Sequence, residues 1–217
     1  MLTDSDKRRI VSAVQGVERQ TDGEVVVCVT ASSGTYPVAR WRAAVFFALL
    51  SLAVIFIIRP STTDWAPLWM GSDLLAVGVC IMVGLLGVVL TAQVGVFKRA
   101  FVFDSELRRE VEKAASESFI AEEVFNTRNR TGILIFVSEF ERFFEVVADS
   151  GIDELVDTEQ WVSIVDEMIA KRASDDLTSA IIQGIELCGA VLSRNVPVVE
   201  PASNELDDRV RTDEGEG

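Results

Sequence analysis

The chain has 217 residues, a net charge of −14 at pH 7, and 49% hydrophobic residues. The negative charge argues against nucleic acid as a partner, because phosphate binding needs a basic surface. The sequence contains no histidine, which excludes Ser–His and Cys–His catalysis and most zinc sites. The three cysteines lie in apolar contexts without a CxxC spacing, so we expect no disulfide framework, and a reducing compartment is compatible.

Residues 1–40 are predicted to form the first half of a soluble domain. A capping box at Thr3 and an apolar stripe predict an amphipathic helix that ends near Arg19. The run from Glu24 to Thr30 is nearly continuously apolar and rich in β-branched residues. This pattern predicts a strand that is buried on both faces.

Residues 41–97 predict a transmembrane helical hairpin inserted into the domain, with helices over 41–59 and 74–97. The second run carries no charge and is long enough to cross a hydrocarbon core of about 30 Å at about 1.5 Å per residue. The first run is shorter, but Trp41 and the stems of the flanking arginines extend it to the interfaces. The alternative, two buried core helices of a soluble protein, is disfavoured by the length of uncharged sequence.

Basic residues flank the hairpin on the side of the remaining chain: Arg40, Arg42, Lys98 and Arg99. The loop between the two helices carries Arg59 against two aspartates. The positive-inside rule therefore predicts a cell-membrane protein with two helices and both termini in the cytoplasm. A signal peptide is not expected, because the first apolar run starts late in the chain. The helices are expected to act as an anchor in the lipid bilayer. They could in addition form the contact surface of a homo-oligomer.

Residues 98–194 are predicted to complete the soluble domain. The predicted elements are a helix over 104–125, strands over 133–138 and 143–148, and two further helices, the second capped by Ser174 and ending near Ser193. The tail over 195–217 is acidic and contains prolines, so we predict that it is mostly disordered. The order of elements predicts an α/β protein, a three-layer α/β/α sandwich with a small central sheet that the hairpin interrupts.

The central part of the chain resembles the TPM domain family. The residues that carry the resemblance are Thr131–Ser138 (TGILIFVS), Glu141, Arg142, Val146–Ile152 (VVADSGI), Trp161 and Asn204–Val210 (NELDDRV). The resemblance implies an α/β/α sandwich in a membrane-anchored or exported module of bacteria and thylakoids. It also implies a phosphatase-like label and, for some members, calcium binding. Asp207 stands where the family usually has proline, and the histidine of several members is missing, which weakens an inherited catalytic role.

Four acidic residues near strand ends are the candidate metal ligands. Asp149 and Asp153 follow the third strand, and Asp22 and Glu24 lie at the entry to the first. Ligands gather at strand ends of open α/β sheets, and Ca²⁺ or Mg²⁺ is held by carboxylate oxygens without imidazole or thiolate. In the alternative, Asp149 makes an Asx turn and the other acids form a solvated face.

Two functions from different classes stay open. In the first, a membrane-anchored cytoplasmic TPM-domain protein binds protein partners during assembly or maintenance of membrane proteins, with a divalent cation as a tuning factor. In the second, it is a metal-dependent acid phosphatase, and Arg128, Arg130 and Arg142 hold the phosphoryl group that is transferred from the substrate. These arginines also fit as exposed loop charges. No phosphate-binding motif is present, and Ser138 has no base nearby in the sequence, so the binding role is favoured.

Overall fold

The computed structural model describes residues 2–58, 72–197 and 206–212. The protein is a mixed α/β protein with a small four-stranded sheet, which confirms the predicted class. The chain divides into two units, one formed by Met1–Ser33 and Arg108–Gly217 and the other by Gly34–Leu107. The second unit is therefore inserted into the first along the chain.

The sheet of the first unit is built on two parallel strands that are distant in sequence. β1 (Glu24–Thr30) pairs in parallel with β2 (Gly132–Ser138), and Glu24 lies opposite Gly132. β3 (Phe143–Ala148) pairs antiparallel with β2, and β4 (Arg211–Thr212) pairs in parallel with β1. The strand order is β3-β2-β1-β4. Every residue of β1 and β2 is buried, as their continuous apolar sequences predict.

Apolar side chains are buried on both faces of this sheet. The helices are α1 (Asp4–Glu18), α2 (Pro37–Ile58), α3 (Asp73–Gln93), α4 (Gly95–Ala100), α5 (Asp104–Ala121), α6 (Ser150–Asp153), α7 (Thr158–Ser174) and α8 (Leu177–Asn195). One apolar cluster joins Val25 and Ile133 to buried residues of α1, α7 and α8. The other joins Val26 and Leu134 to Val111 and its neighbours on α5. Because successive strand side chains point to opposite faces, the two clusters use alternate residues of the same strands.

The described segment 206–212 of the C-terminal tail contacts the rest of the first unit, and disorder over 195–217 stays a prediction. Leu206 packs against one apolar cluster and Val210 against the other. The side chain of Arg211 is 9% exposed, and its Nε lies 2.9 Å from Oε2 of Glu122. These few anchoring residues cannot be recognised from the acidic composition of the tail, because the residues that they contact are remote in sequence.

The second unit contains two helices that are long and apolar enough to cross a membrane. α2 and α3 have 22 and 21 residues and a hydropathy of 2.4 and 2.7 over their most apolar stretches, of which 6% and 17% is buried. α2 begins at Pro37 rather than at the predicted residue 41, because proline is favoured at the first position of a helix. The second apolar run is not one helix: α3 ends at Gln93, Val94 is extended with φ −120° and ψ 109°, and α4 follows. The predicted loop with Arg59 lies outside the described residues.

The helices α2 and α3 pack through small residues. A Cβ atom at Gly84 would lie 3.1 Å from the carbonyl oxygen of Ala44, and one at Gly87 would lie 3.1 Å from the carbonyl oxygen of Ala43. Thr91 is buried, and its hydroxyl donates to the carbonyl oxygen of Gly87 at 2.6 Å. Such small residues let helix backbones approach closely. These two glycines therefore serve packing within the hairpin.

The close approach at Gly132 gives a first testable prediction. A Cβ atom there would lie 2.1 Å from the carbonyl oxygen of Val124, so Gly132→Ala must displace the backbone. We expect it to lower the free energy of unfolding of the full chain in detergent by about 1–3 kcal/mol, measured by circular dichroism in urea. The matched control is Gly16→Ala, whose Cβ would meet nothing within 4 Å and which should not destabilise the chain. Equal stability of both variants would contradict the close approach.

Candidate functional site

Asp149 binds an arginine instead of facing an open coordination position. Its Oδ1 accepts hydrogen bonds from Nη2 of Arg130 at 2.8 Å and from the backbone N–H of Ser150 at 2.7 Å. Its Oδ2 lies 2.7 Å from Nε of Arg130, and the side chain is 3% exposed. The guanidinium therefore forms an ion pair with the carboxylate, although among the described residues no donor makes a hydrogen bond of good geometry to Oδ2. Asp149 is also the N-cap of α6, where its side chain accepts the N–H of the next residue.

The loop before β2 is shaped around this pair. The backbone of Arg130 is in the left-handed region with φ 58°, a conformation that costs a non-glycine residue about 1–3 kcal/mol. Its carbonyl oxygen accepts the N–H of Gly151 at 2.9 Å. A Cβ atom at Gly151 would lie 2.1 Å from the carbonyl oxygen of Asn129. The two loops therefore touch through their backbones, and the ion pair of Arg130 and Asp149 fastens them.

The other predicted ligands do not converge on Asp149. Asp22 and Glu24 lie at the same end of the strands as Asp149. The backbone N–H of Asp149 donates to the carbonyl oxygen of Gly132 in β2, and Gly132 in turn lies opposite Glu24 of β1. Asp149 and Glu24 thus stand two strands apart, which corresponds to about 10 Å between their backbones. Asp153 is exposed on α6.

The calcium or magnesium site therefore stays a prediction without geometric support. Within residues 2–58, 72–197 and 206–212, no three acidic or cysteine side chains form a group that could hold a metal ion. A cation at Asp149 would also meet the guanidinium of Arg130, whose positive charge opposes it. The acidic residues present do not fit the bound metal that the family resemblance implies.

Half-buried Glu18 and buried Glu24 form a pair of acids near the start of β1 that was not predicted from the sequence. Glu24 is 5% exposed, and Oε1 of Glu18 accepts the backbone N–H of Val25 at 3.3 Å. Burial, together with the charge of Glu24 and a smaller effect of Asp208, raises the pKa of Glu18 to about 9. Glu18 therefore keeps its proton at neutral pH, because two close carboxylates do not both ionise in a poorly solvated site.

The sequence did contain a signal for this pair. Glu18 follows the buried residue Val14 by one helical turn on α1, so the helical period places it beside the apolar stripe. Glu24 begins a strand in which every residue is buried. The sequence therefore places one acid beside the apolar stripe of α1 and the other in the buried strand that follows it.

At the opposite end of the parallel strands, Glu141 is buried with 0% exposure. Its carboxylate accepts hydrogen bonds from the hydroxyl of Ser138, from the hydroxyl of Ser32 at 3.1 Å and from the backbone N–H of Ser33 at 3.0 Å. These donors compensate the cost of burying a charge. Ser138 thus has a base beside it, but its side chain is 1% exposed, and neither group is open to a substrate.

The three arginines proposed for a phosphoryl group do not form one site. Arg128 and Arg130 precede β2, and Arg142 follows it after a short turn. The seven residues of β2 separate these two ends by roughly 20 Å. One phosphoryl group cannot contact both ends of the strand.

The fold has a counterpart among solved structures. The sequence matches no protein-family model and no curated protein. The structure is similar to the NMR structure of the BA42 protein from the psychrophilic bacterium Bizionia argentinensis, with a TM-score of 0.58 and 16% sequence identity. The similarity covers 98% of this chain and 95% of that chain. At this identity the likeness concerns the fold alone.

The pair of Glu18 and Glu24 predicts a pH-dependent stability. Because the pKa of Glu18 is raised from 4.5 to about 9, the folded state holds a proton that the unfolded state releases. The stability that this proton supplies is complete below pH 4.5 and is lost as the pH rises towards 9. We expect Glu18→Gln to flatten this decline in thermal unfolding curves of the full chain in detergent.

The control for this measurement is Glu117→Gln, because the side chain of Glu117 is 67% exposed on α5. It should follow the wild-type pH profile, because its side chain lies on the exposed surface of the helix and away from the start of β1. Parallel profiles for wild type and Glu18→Gln between pH 5 and 9 would contradict a shared proton at the start of β1.

The pairing of Arg130 with Asp149 predicts a structural role that can be separated from metal binding. We expect Arg130→Gln to lower the free energy of unfolding by about 1–3 kcal/mol, because it leaves a buried carboxylate without its charged donor. Arg109→Gln, at an exposed position of α5, should have little effect. Millimolar Ca²⁺ should not raise the unfolding temperature of the wild type. A rise that is lost in Asp149→Ala would instead establish the predicted metal site.

Proposed function

We propose that the chain is a membrane-anchored protein whose first unit is a TPM-like binding module, with an accessory role in the assembly or maintenance of membrane proteins. The observation that carries the proposal is the exposure of apolar side chains along α2 and α3. Phe56 is 77%, Leu74 82% and Met82 68% exposed. Exposing apolar surface to water costs a free energy of about 25 cal/mol for each Å². A lipid bilayer covers it.

A cytoplasmic location of both termini is supported by the charges that flank the hairpin. Arg40 is exposed at the start of α2, and Lys98 and Arg99 lie in the last turn of α4. Arg42 contributes less to this asymmetry, because it makes two hydrogen bonds of 2.6 and 2.7 Å to Glu106 and is neutralised there. The remaining basic residues still favour the cytoplasmic side under the positive-inside rule.

A binding role is favoured over catalysis by the state of the polar groups in the first unit. Glu141 is buried and accepts three hydrogen bonds, and Asp149 is buried beside the guanidinium of Arg130. The candidate phosphate-binding arginines lie at two ends of one strand. The two apolar clusters on alternate strand residues support the three-layer α/β/α arrangement that the TPM resemblance implies. No observation favours the phosphatase alternative.

Membrane retention and topology test this proposal. We expect the full chain to stay in the membrane pellet after extraction with alkaline carbonate, because two spanning helices are held by apolar burial. In intact cells, a membrane-impermeant maleimide should label Ser72→Cys, next to α3. Ser150→Cys, exposed at the start of α6, should be labelled only after permeabilisation. These two sites report on opposite sides of the membrane.

Three results would contradict the proposal. Release of the chain into the soluble fraction would reject the anchor, and labelling of Ser150→Cys in intact cells would reject the cytoplasmic side. Hydrolysis of p-nitrophenyl phosphate by the purified chain with Mg²⁺ or Ca²⁺, lost in Asp149→Ala, would favour the phosphatase alternative.

A further inference from the structure

The strand β4 is shorter than the edge on which it lies. It pairs with β1 at two positions, Arg211 opposite Cys28 and Thr212 opposite Val29, although β1 has seven residues. If this parallel register were continued towards the start of β1, it would place Asp208 opposite Val25. The chain turns away before that point. Most of this edge of β1 is therefore not covered by a strand of the described chain.

The turn is held by the side chain of Arg211. Its Nη1 donates to the carbonyl oxygens of Asp207 and Arg209, the second at 2.9 Å. Its Nε contacts Glu122 of the segment after α5 at 2.9 Å. Arg211 therefore both folds the segment back and fastens it to the first unit.

Like charges explain why the tail does not continue along the edge. The backbone N–H of Val25 donates to Glu18 instead of to a strand, and Glu24 lies next in the chain, 5% exposed. A longer β4 would bring Asp208 into register beside these two acids. The charge of Asp208 already contributes to the raised pKa of Glu18 from its present position, where it accepts a hydrogen bond from Gln15 at 2.9 Å.

We propose that the outer edge of β1 is a binding site for an extended peptide segment of a partner protein, and that β4 is its built-in competitor. The segment would add to the sheet in parallel through backbone hydrogen bonds, as in other cases of β-augmentation. It would carry an arginine opposite Cys28, to take over the contact with Glu122, and a lysine or arginine opposite Val25, facing Glu18 and Glu24. This inference deepens the proposed binding role and rests on it.

The charge of the edge selects this occupant over a second copy of the chain. A tail exchanged between two copies would make the same contacts as β4 and carry the same aspartate, so it would gain no attraction to the acids that β4 lacks. A basic residue at that position would instead gain attraction to a poorly solvated carboxylate pair, where charge interactions are stronger than at the surface.

The test uses a fluorescent peptide with the sequence of residues 206–212 in which lysine replaces Asp208. Binding to the full chain in detergent is followed by fluorescence anisotropy. Arg211→Ala should release β4 and tighten peptide binding about tenfold, because the apparent dissociation constant scales inversely with the open fraction. Arg209→Ala is the matched control, since the side chain of Arg209 is 72% exposed and pairs with Asp207. It should bind the peptide like the wild type.

A variant of Asp208, a second peptide and a hydrogen-exchange measurement test the role of charge and the folding of the variants. Asp208→Asn retains the acceptor for Gln15 but removes the like charge, so it should strengthen β4 and weaken peptide binding. The peptide with its aspartate retained should bind more weakly than the lysine peptide to every variant. Hydrogen exchange at Cys28 and Val29 should be faster in Arg211→Ala and slower once the lysine peptide is bound, which also reports that the variant is folded.

Two results would overturn the inference. One is the absence of binding to Arg211→Ala at about 1 mM peptide, a concentration that detects interactions of about 4 kcal/mol. The other is equal affinity of wild type and Arg211→Ala for the lysine peptide and for a scrambled peptide of the same charge, which would indicate unspecific attraction. Neither result affects membrane retention or cysteine labelling, so failure of the edge site is distinguishable from failure of the proposed function.

Discussion

The parallel pairing of β1 with β2 is the contact on which the rest of the structure depends. The two strands are joined along all seven residues, although the whole second unit lies between them in sequence. Both strands are buried on both faces, so a shift by one residue would exchange the side chains of the two apolar clusters. The register is held by local steric fit as well, since Gly132 lies opposite Glu24 and close to the backbone of Val124.

The charged groups at the two ends of this strand pair are used to close loops. Arg130 and Asp149 join the loops on one side of β2, and Glu141 gathers the serines that follow β1 and β2 on the other. A buried carboxylate that accepts several hydrogen bonds or pairs with a guanidinium is stabilised where it lies. Within Thr131–Ile152, the hydroxyl of Thr131 contacts the carbonyl oxygen of Asp22, the two glycines allow close backbone approaches, and Asp149 pairs with Arg130.

The sequence predicted those features that local patterns control. The strands at Glu24–Thr30 and Phe143–Ala148 have the predicted bounds, because apolar runs of β-branched and aromatic residues end at clear turn signals. The N-cap of α8, a local feature, was misassigned, and features that depend on remote partners were missed. Asp176 caps α8 by accepting the N–H of Ser179 at 2.6 Å, whereas the predicted cap Ser174 bonds back to α7. In contrast, β4 and the pair of Glu18 and Glu24 form only when the sheet has formed. No periodicity in the sequence of the tail predicts β4.

The two edges of the sheet are protected by different means, and both involve carboxylates. On β3, Glu145 points into the apolar face beside α5, where burial and the charge of Glu112 raise its pKa while Arg108 opposes the shift. An inward-pointing charge of this kind discourages pairing with another strand. On β1, the edge is covered at two positions by the chain's own tail, and the rest faces Glu18 and Glu24. A basic segment on this edge would be attracted to these acids, whereas an acidic segment would be repelled by them.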